Sequence, residues 1–336
     1  MSVYLHVYTP AEISPRVHTR PGEVKLGERL QFAASPNLET TLADSAAAYV
    51  LLGIPEDIGV RANGGVGGAH TSWEPALNAF LNIQSSSRLS GAEVLLLGYF
   101  DFSEWMTASL EADLQGLREL TARIDAELTP VIRAIVAAGK TPLVVGGGHN
   151  NSYPLLRGAA EALQTPLNCI NLDAHSDYRV PEGRHSGNGF RYAHMEGHLG
   201  NYAMLGLHEN YNSAAVLDDL AADERLQYSF FEDIFIREEH SFAYALGEAI
   251  QHTAAAPLGI ELDLDCIARI LSSAVTPSGI SPETARRYLH TCGALPGVAY
   301  LHLAEGATTL RDGRTDFYTP KLIAYLLSDF IKARSA

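Results

Sequence analysis

The chain has 336 residues, with 24 Lys+Arg against 39 Asp+Glu and a formal net charge of −15. Nucleic acids and anionic membrane surfaces select clustered basic residues, so neither is expected as a partner of so acidic a chain. The composition, 46% hydrophobic and 19% charged, is that of a globular protein. Three cysteines are too few for a disulfide framework. The N-terminus has no basic start before an apolar block, and no apolar run reaches the ~20 residues of a membrane span, so we expect a cytoplasmic protein.

Short apolar runs, each followed by a longer segment with helical spacing, recur along the chain. The strand candidates are Tyr49–Ile54, Val94–Leu97, Pro142–Val145, Leu167–Leu172, Ala203–Leu207, Leu258–Leu264 and Val298–Leu303. The helix candidates are Leu110–Ala138, Tyr153–Leu163, His240–His252, Pro282–His290 and Lys321–Lys332. This alternation predicts an α/β sandwich or barrel, and the continuous apolar strands favour a parallel sheet that is covered on both faces. Without a repeat or a low-complexity linker, residues 1–336 are predicted to form a single domain, with the first 45 or so as an N-terminal extension.

Three of the predicted strands end in acidic and histidine side chains. A glycine triplet and His149 follow the third candidate strand, an Asp-x-His-x-Asp segment follows the fourth, and an Asp-x-Asp segment ends the sixth. Ligands of open α/β sheets bind at the carboxyl ends of strands, and alternate residues of an extended chain face the same side. The sequence therefore predicts that six side chains converge: His149, Asp173, His175, Asp177, Asp263 and Asp265.

Four of these six side chains are carboxylates, which repel one another unless cations lie between them. Two divalent ions would neutralise the four charges. Carboxylate and imidazole ligands without a thiolate favour Mn²⁺ or a similar ion over a structural zinc site. Two ions about 3.5–4 Å apart can activate water to attack an electrophilic carbon. In the alternative interpretation, these are separate strand-end acids that backbone amides or water satisfy.

In order and separation, the six residues resemble the metal ligands of the ureohydrolase superfamily of arginases, agmatinases and formimidoylglutamases. Residues 53–61 and 185–190 resemble the formimidoylglutamase branch, and Glu305 stands where the family has its last strand-end glutamate. The resemblance implies a three-layer α/β/α sandwich around a mainly parallel eight-stranded sheet, two Mn²⁺ ions, and a homo-oligomer, either a trimer or a hexamer. It implies one ion on His149, Asp173, Asp177 and Asp263, and a second on Asp173, His175, Asp263 and Asp265.

Within the superfamily, departures from the arginase pattern favour hydrolysis of N-formimidoyl-L-glutamate to L-glutamate and formamide, a step of histidine breakdown. Phe190 replaces an arginase histidine, and Thr284 occupies the position of an arginase glutamate. Arginine is the side chain best shaped to receive the two carboxylates of such a substrate. The expected substrate-binding residues are Arg61, Asn63, Arg179, Ser186, Asn188 and Arg286. Asp177 and Asp265 are expected to orient the reacting groups, and His185 to donate a proton to the leaving amine.

Two other functions remain open at this point. The first is a guanidino-acid, agmatine or arginine hydrolase that releases urea, which Asn150 keeps open because an acid usually follows the metal-binding histidine in this motif. The second is a non-catalytic member that retains its metals for stability or regulation. Intact ligands at all six positions argue against the second, since a chain without catalytic constraint would lose some of them.

Overall fold

The computed structural model describes residues 2–334, through which a ten-stranded sheet runs. The strands are β1 (Leu5–Val7), β2 (Gln31–Phe32), β3 (Tyr49–Gly53), β4 (Val94–Phe100), β5 (Thr141–Val145), β6 (Leu167–Leu172), β7 (Leu199–Leu207), β8 (Leu226–Phe230), β9 (Leu258–Asp263) and β10 (Val298–Ala304). Their order is β1-β4-β3-β5-β10-β9-β6-β7-β8, and the two-residue β2 also pairs with β4. Strands β3 to β10 are all parallel to their neighbours, whereas β1 runs antiparallel to β4.

Of the eight strands from β3 to β10, the sequence predicted seven and missed β8. This strand forms one edge of the sheet, and four of its five residues are only half-buried, so it lacks the apolar run that marks the central strands. The two additional strands, β1 and β2, come from the N-terminal extension and pair with β4. The sheet therefore has ten strands rather than the expected eight, because the extension adds its backbone to one side of the parallel core.

Helices cover both faces of this sheet and complete the expected three-layer α/β/α arrangement. They are α1 (Pro10–Ile13), α2 (Leu38–Asp44), α3 (Ile58–Ala62), α4 (Trp73–Leu81), α5 (Ser103–Ala108), α6 (Leu114–Ala137), α7 (Ser152–Leu163), α8 (Gly189–Met195), α9 (Ala214–Ala221), α10 (Phe231–Phe235), α11 (Phe242–Thr253), α12 (Pro282–Gly293) and α13 (Thr319–Ala333). One core cluster joins the sheet to α4, α11, α12 and α13, and the other joins it to α6, α7 and α8. Of the helices between residues 2 and 334, none has the length and apolar character needed to cross a membrane.

Local sequence signals account for where the long helices begin. The Ser281 side chain accepts a hydrogen bond from the Thr284 amide at the start of α12, with Pro282 in the first turn. Asp113 caps α6 in the same way by accepting from the Gly116 amide, so this helix begins at Leu114 rather than at the predicted Leu110. The caps fix which residues of each helix face the sheet.

Four central strands position the predicted ligands. β5, β10, β9 and β6 are consecutive neighbours in the sheet and run parallel, so their carboxyl ends lie at one edge. The predicted ligands follow β5, β9 and β6, and Glu305 directly follows β10. The fold thus brings together side chains that are up to about 150 positions apart in the chain.

Candidate metal centre

His149 is presented by a tight glycine loop at the end of β5. Gly146 and Gly147 have φ values of 88° and 73°, a backbone conformation that glycine adopts without the steric cost of a side chain. The buried carboxylate of Glu56 accepts hydrogen bonds from the Gly148 amide at 3.0 Å and from Asn151 Nδ2 at 2.9 Å. The loop is thus held on both sides of the histidine, which fixes the direction of its ring.

Asp173 and Asp263 end their strands by the same local device. Asp173 Oδ1 accepts from the His175 amide at 2.7 Å, and Asp263 Oδ1 accepts from the Asp265 amide at 2.8 Å. These side-chain bonds to the backbone two residues ahead compete with strand pairing and turn the chain. The sequence predicted that an extended backbone aligns alternate ligands on one side, and this local conformation is wrong. Asp177 has φ 45°, and Asp265 lies in a 3₁₀ turn.

The structure nevertheless brings all six predicted ligands together. His149 Nδ1 lies 3.2 Å from an oxygen of Asp173, 2.9 Å from one of Asp177 and 3.1 Å from one of Asp263. Among the described residues, this buried nitrogen has no partner in hydrogen-bonding geometry. Neighbouring ligands of an octahedral ion with bonds of about 2.1 Å lie about 3 Å apart. The four side chains therefore fit around one divalent ion.

A second group of potential ligands adjoins the first. It consists of Asp173, His175 and Asp265, with His175 Nδ1 3.3 Å from Asp265 Oδ2 and 3.7 Å from Asp173 Oδ1. Asp173 belongs to both groups, with its Oδ2 near His149 and its Oδ1 near His175, so it could bridge two ions. Asp263, which was also expected to bridge, belongs to the first group only.

The electrostatics of the cluster favour bound cations. Burial and the neighbouring carboxylates of Asp265 and Asp173 raise the pKa of Asp263 well above its usual range. Burial and the charge of Asp173 raise the pKa of Asp177 to about 6. The ionised forms are thus disfavoured in the bare chain, and divalent cations would compensate the repulsion that causes these shifts.

The cluster forms the inner wall of an open cavity of about 560 Å³. Three of the expected substrate-binding residues line it: Asn63, Arg179 and Ser186. Arg179 donates to Asn63 Oδ1 at 3.0 Å and to Glu182 Oε1 at 3.1 Å, and its side chain is 52% exposed. Among the described residues it is the single arginine of the lining, and it brings a positive charge to the cavity.

The other three expected substrate-binding residues lie outside the cavity lining, so the structure gives their predicted role no support. Arg61 bonds to Asp57 at 2.8 Å and to the Ser109 carbonyl at 3.0 Å. Arg286 pairs with Asp329 on α13 at 2.6 Å. The buried amide of Asn188 accepts from Arg184 at 2.6 Å and donates to the Gly183 carbonyl at 2.8 Å. These side chains are already bound within the protein.

His185, the expected proton donor, also lies outside the cavity. Its fully buried ring accepts from the Gly187 amide at 3.1 Å, and its Nε2 lies 3.3 Å from Glu182. Burial and the Arg179 charge lower the pKa of His185 to about 4. The imidazole is therefore neutral at pH 7 and holds the loop before α8, so its role as general acid is not supported.

This low pKa predicts how stability responds to acid. The unfolded imidazole takes up a proton near pH 6.5, whereas the folded one resists protonation until about pH 4. The folded state therefore loses up to about 3 kcal/mol relative to the unfolded state as pH falls through this window. We expect the free energy of unfolding of His185→Gln, measured by urea denaturation, to change less between pH 6.5 and 4 than that of the parent. Parallel curves for the two proteins would contradict this assignment.

Two site features had no role assigned from the sequence, although the sequence does show Glu305 where the family has its last strand-end glutamate. Glu305 lines the cavity and is 6% exposed, and its Oε1 accepts from the His149 amide at 2.9 Å. Glu261 and His302 lie behind His149 and are fully buried. The strand period could have identified Glu261, because it lies two residues before Asp263 in the same strand and so faces the same side of the sheet.

Comparisons with known proteins agree with this geometry. A family model described as Arginase family matches residues 47–328, so the chain belongs to the arginase family, as the resemblance of its motifs implied. A formimidoylglutamase from Rhodococcus jostii is 28% identical over 309 residues, covering 88% of this chain and 89% of the relative. A formimidoylglutamase from Geobacillus kaustophilus is 28% identical over 297 residues, covering 86% and 85%.

Solved structures share the fold at lower sequence identity. The formimidoylglutamase from Bacillus subtilis superposes with a TM-score of 0.73 at 19% identity, covering 94% of this chain and 93% of that one. A Trypanosoma cruzi formiminoglutamase with two Mn²⁺ ions gives a TM-score of 0.70 at 20% identity, with 93% and 99% coverage. The arginase-like α/β/α fold is thereby confirmed.

Proposed function

We propose that this chain is a binuclear manganese hydrolase that converts N-formimidoyl-L-glutamate and water to L-glutamate and formamide. The observation that carries the proposal is a pair of ligand groups sharing Asp173 on the wall of an open cavity. The names of the curated relatives support the substrate, and the two Mn²⁺ ions named for the Trypanosoma cruzi structure support the metal.

In the proposed reaction, the oxygen of water adds to the formimidoyl carbon and the bond from that carbon to the glutamate nitrogen breaks. Of the two protons of this water, one reaches the departing nitrogen, so glutamate leaves as the amine. The other ends on the remaining nitrogen, so the carbon leaves in formamide. Two bound divalent ions would supply a nucleophile at neutral pH and stabilise charge at the reacting carbon. His149, Asp173, Asp177 and Asp263 would hold one ion, with Asp173, His175 and Asp265 for the other.

The remaining lining residues suit the two chemically different ends of this substrate. A formimidoyl group is an amidine and is cationic when protonated, so a carboxylate such as that of Glu305 can receive its N–H groups. The glutamate end carries two carboxylates. Arg179, which lines the cavity and is half exposed, can donate two hydrogen bonds to one of them. Asn63 and Ser186 add neutral polar groups beside it.

A product assay tests the proposal directly. Protein loaded with Mn²⁺ is incubated separately with N-formimidoyl-L-glutamate, agmatine, arginine and a guanidino acid, and formamide and urea are both measured. We expect formamide from the first compound and no urea from the others. Urea without formamide would replace the proposal by a urea-releasing hydrolase, and no product from any compound would favour a non-catalytic member.

Arg179→Gln is expected to weaken substrate binding more than turnover. The glutamine keeps a polar group near Asn63 but removes the charge that receives a substrate carboxylate, so KM should rise by about 10–100-fold with a smaller change in kcat. Steady-state kinetics with N-formimidoyl-L-glutamate measure both values. The matched control is Arg225→Gln, an exposed arginine paired with Asp223, which should leave KM unchanged. An unchanged KM in Arg179→Gln would remove this residue from the substrate site.

We also propose that the enzyme acts in histidine breakdown in the cytoplasm and as a homo-oligomer. The oligomer follows from the family resemblance, in which trimers and hexamers are common. Sedimentation equilibrium of the purified protein separates three states, because the monomer mass is 36.3 kDa and the trimer and hexamer are three and six times heavier.

A further inference from the structure

A buried cluster of three side chains lies on the opposite edge of the His149 ring from the carboxylates. Glu261 Oε2 is 3.3 Å from His149 Nε2 and 2.7 Å from His302 Nδ1. Glu261 Oε1 accepts from the Tyr300 hydroxyl at 2.8 Å. All four residues are fully buried, and neither Glu261 nor its two partners on β10 line the substrate cavity.

We propose that Glu261 is a positioning residue of the metal centre, which acts through His149; the inference rests on the metal part of the proposed function. A neutral imidazole carries its proton on one nitrogen only. Because Glu261 can only accept when it is ionised, it holds that proton on His149 Nε2. The lone pair of Nδ1 then points to the three carboxylate oxygens, where an ion would bind.

The surroundings of Glu261 hold its carboxylate in place. Tyr300 and His302 each bond to one of its oxygens, and the Tyr288 hydroxyl donates to its backbone carbonyl at 2.9 Å. His302 Nε2 lies 3.3 Å from the Gly146 carbonyl, so the same cluster also contacts the loop that carries His149. A carboxylate fixed in this manner restricts rotation of the His149 ring.

No lysine or arginine among residues 2–334 pairs with Glu261; its ion-pair partners there are His149 and His302. Burying an acid in a sheet core is costly unless its hydrogen bonds are satisfied. If the acid only balanced His302, its removal would lower stability and leave metal binding unchanged. If it positions His149, its removal weakens the ion that His149 binds. These two consequences are measurable separately.

The experiment titrates full-length protein with Mn²⁺ alone, by calorimetry and by electron paramagnetic resonance, and needs no substrate. For Glu261→Gln we expect one of the two Mn²⁺ affinities to fall by about 10–100-fold. The other should stay within a few fold of its wild-type value. The spectrum of two coupled ions should then appear only at higher Mn²⁺ concentration. The control Asp125→Asn alters another buried carboxylate, which pairs with Arg184, and should keep both affinities.

A double-mutant cycle distinguishes action through His149 from general damage. In a His149→Asn background, Glu261→Gln should change the affinity of the remaining ion by less than about twofold. Thermal unfolding of each metal-free variant verifies that it is folded. Wild-type affinities in Glu261→Gln, or an equal loss in the His149→Asn background, would overturn the inference. Failure of the wild-type protein to bind Mn²⁺ would instead overturn the metal part of the proposed function. Absence of formamide in the product assay would overturn only the proposed substrate.

Discussion

Asp265→Ala is expected to abolish turnover while leaving the fold intact. The side chain belongs to the second ligand group, and its Oδ2 lies 3.3 Å from His175 Nδ1. Loss of a residue that hydrogen-bonds to a metal ligand already costs about 10–100-fold in activity. Loss of a direct ligand should therefore lower kcat/KM by more than about 100-fold. Formamide release measures activity, and elemental analysis of the dialysed protein should find one Mn²⁺ per chain in place of two.

The fold should survive this change because it removes one of several mutually repelling carboxylates. Asp265 contributes to the raised pKa of Asp263, so the metal-free variant should be at least as resistant to heat as the metal-free parent. Asp312→Ala is the matched control, since within residues 2–334 that exposed acid pairs with nearby Arg314 alone. Full activity of Asp265→Ala, or two retained Mn²⁺ ions, would refute the site assignment.

The convergence of the candidate metal ligands could be predicted because each one lies at or just after the end of a strongly marked strand. Parallel strands such as β5 and β6 are buried on both faces and read as apolar runs, and their ends necessarily meet at one edge. The residue spacing therefore identified the convergence of His149, Asp173 and Asp263. What it could not supply was the local conformation, since the turns after β6 and β9 depend on side-chain bonds back to the chain.

Which arginines line the cavity was harder to predict, because a long charged side chain pairs with whichever partner the fold brings near. Arg286 is paired with Asp329, 43 positions away, and Arg61 reaches Ser109, 48 positions away. Neither partner is marked by a motif. Arg179 lines the cavity and lies two positions after Asp177, a closeness that the sequence does show. Among the three expected arginines, closeness in sequence to a candidate ligand was thus the better guide to position.

Glu261 and His302 were not predicted from the sequence, for a different reason. Both lie inside strands that otherwise read as apolar, where single polar residues are easily taken as interruptions of the pattern. Their pairing joins β9 and β10, whose register places Glu261 directly beside His302. Such cross-strand pairs become visible only once the strand order is known, because β9 and β10 also pair with different strands on their other sides.

Glu305→Gln is the other change for which we expect a large effect, and it tests how the substrate is held. The carboxylate directly follows β10, lines the cavity and is nearly buried. Burial and the nearby charge of Asp265 contribute to raising the pKa of Glu305 to about 8. A cationic amidine would favour the ionised form and gain a charge-assisted hydrogen bond that water does not weaken.

The glutamine variant isolates that charge. Its amide oxygen can still accept from the His149 amide, so the loop and the metal ligands should stay in place. Removing a charged hydrogen-bond partner from a buried site costs about 3 kcal/mol, which corresponds to a loss of about 10²-fold in kcat/KM. Mn²⁺ binding should remain at two ions per chain, and Glu305→Asp, which keeps the charge on a shorter side chain, should recover part of the activity. If Glu305→Gln keeps kcat/KM within twofold of the parent, the amidine end of the substrate is bound elsewhere in the cavity.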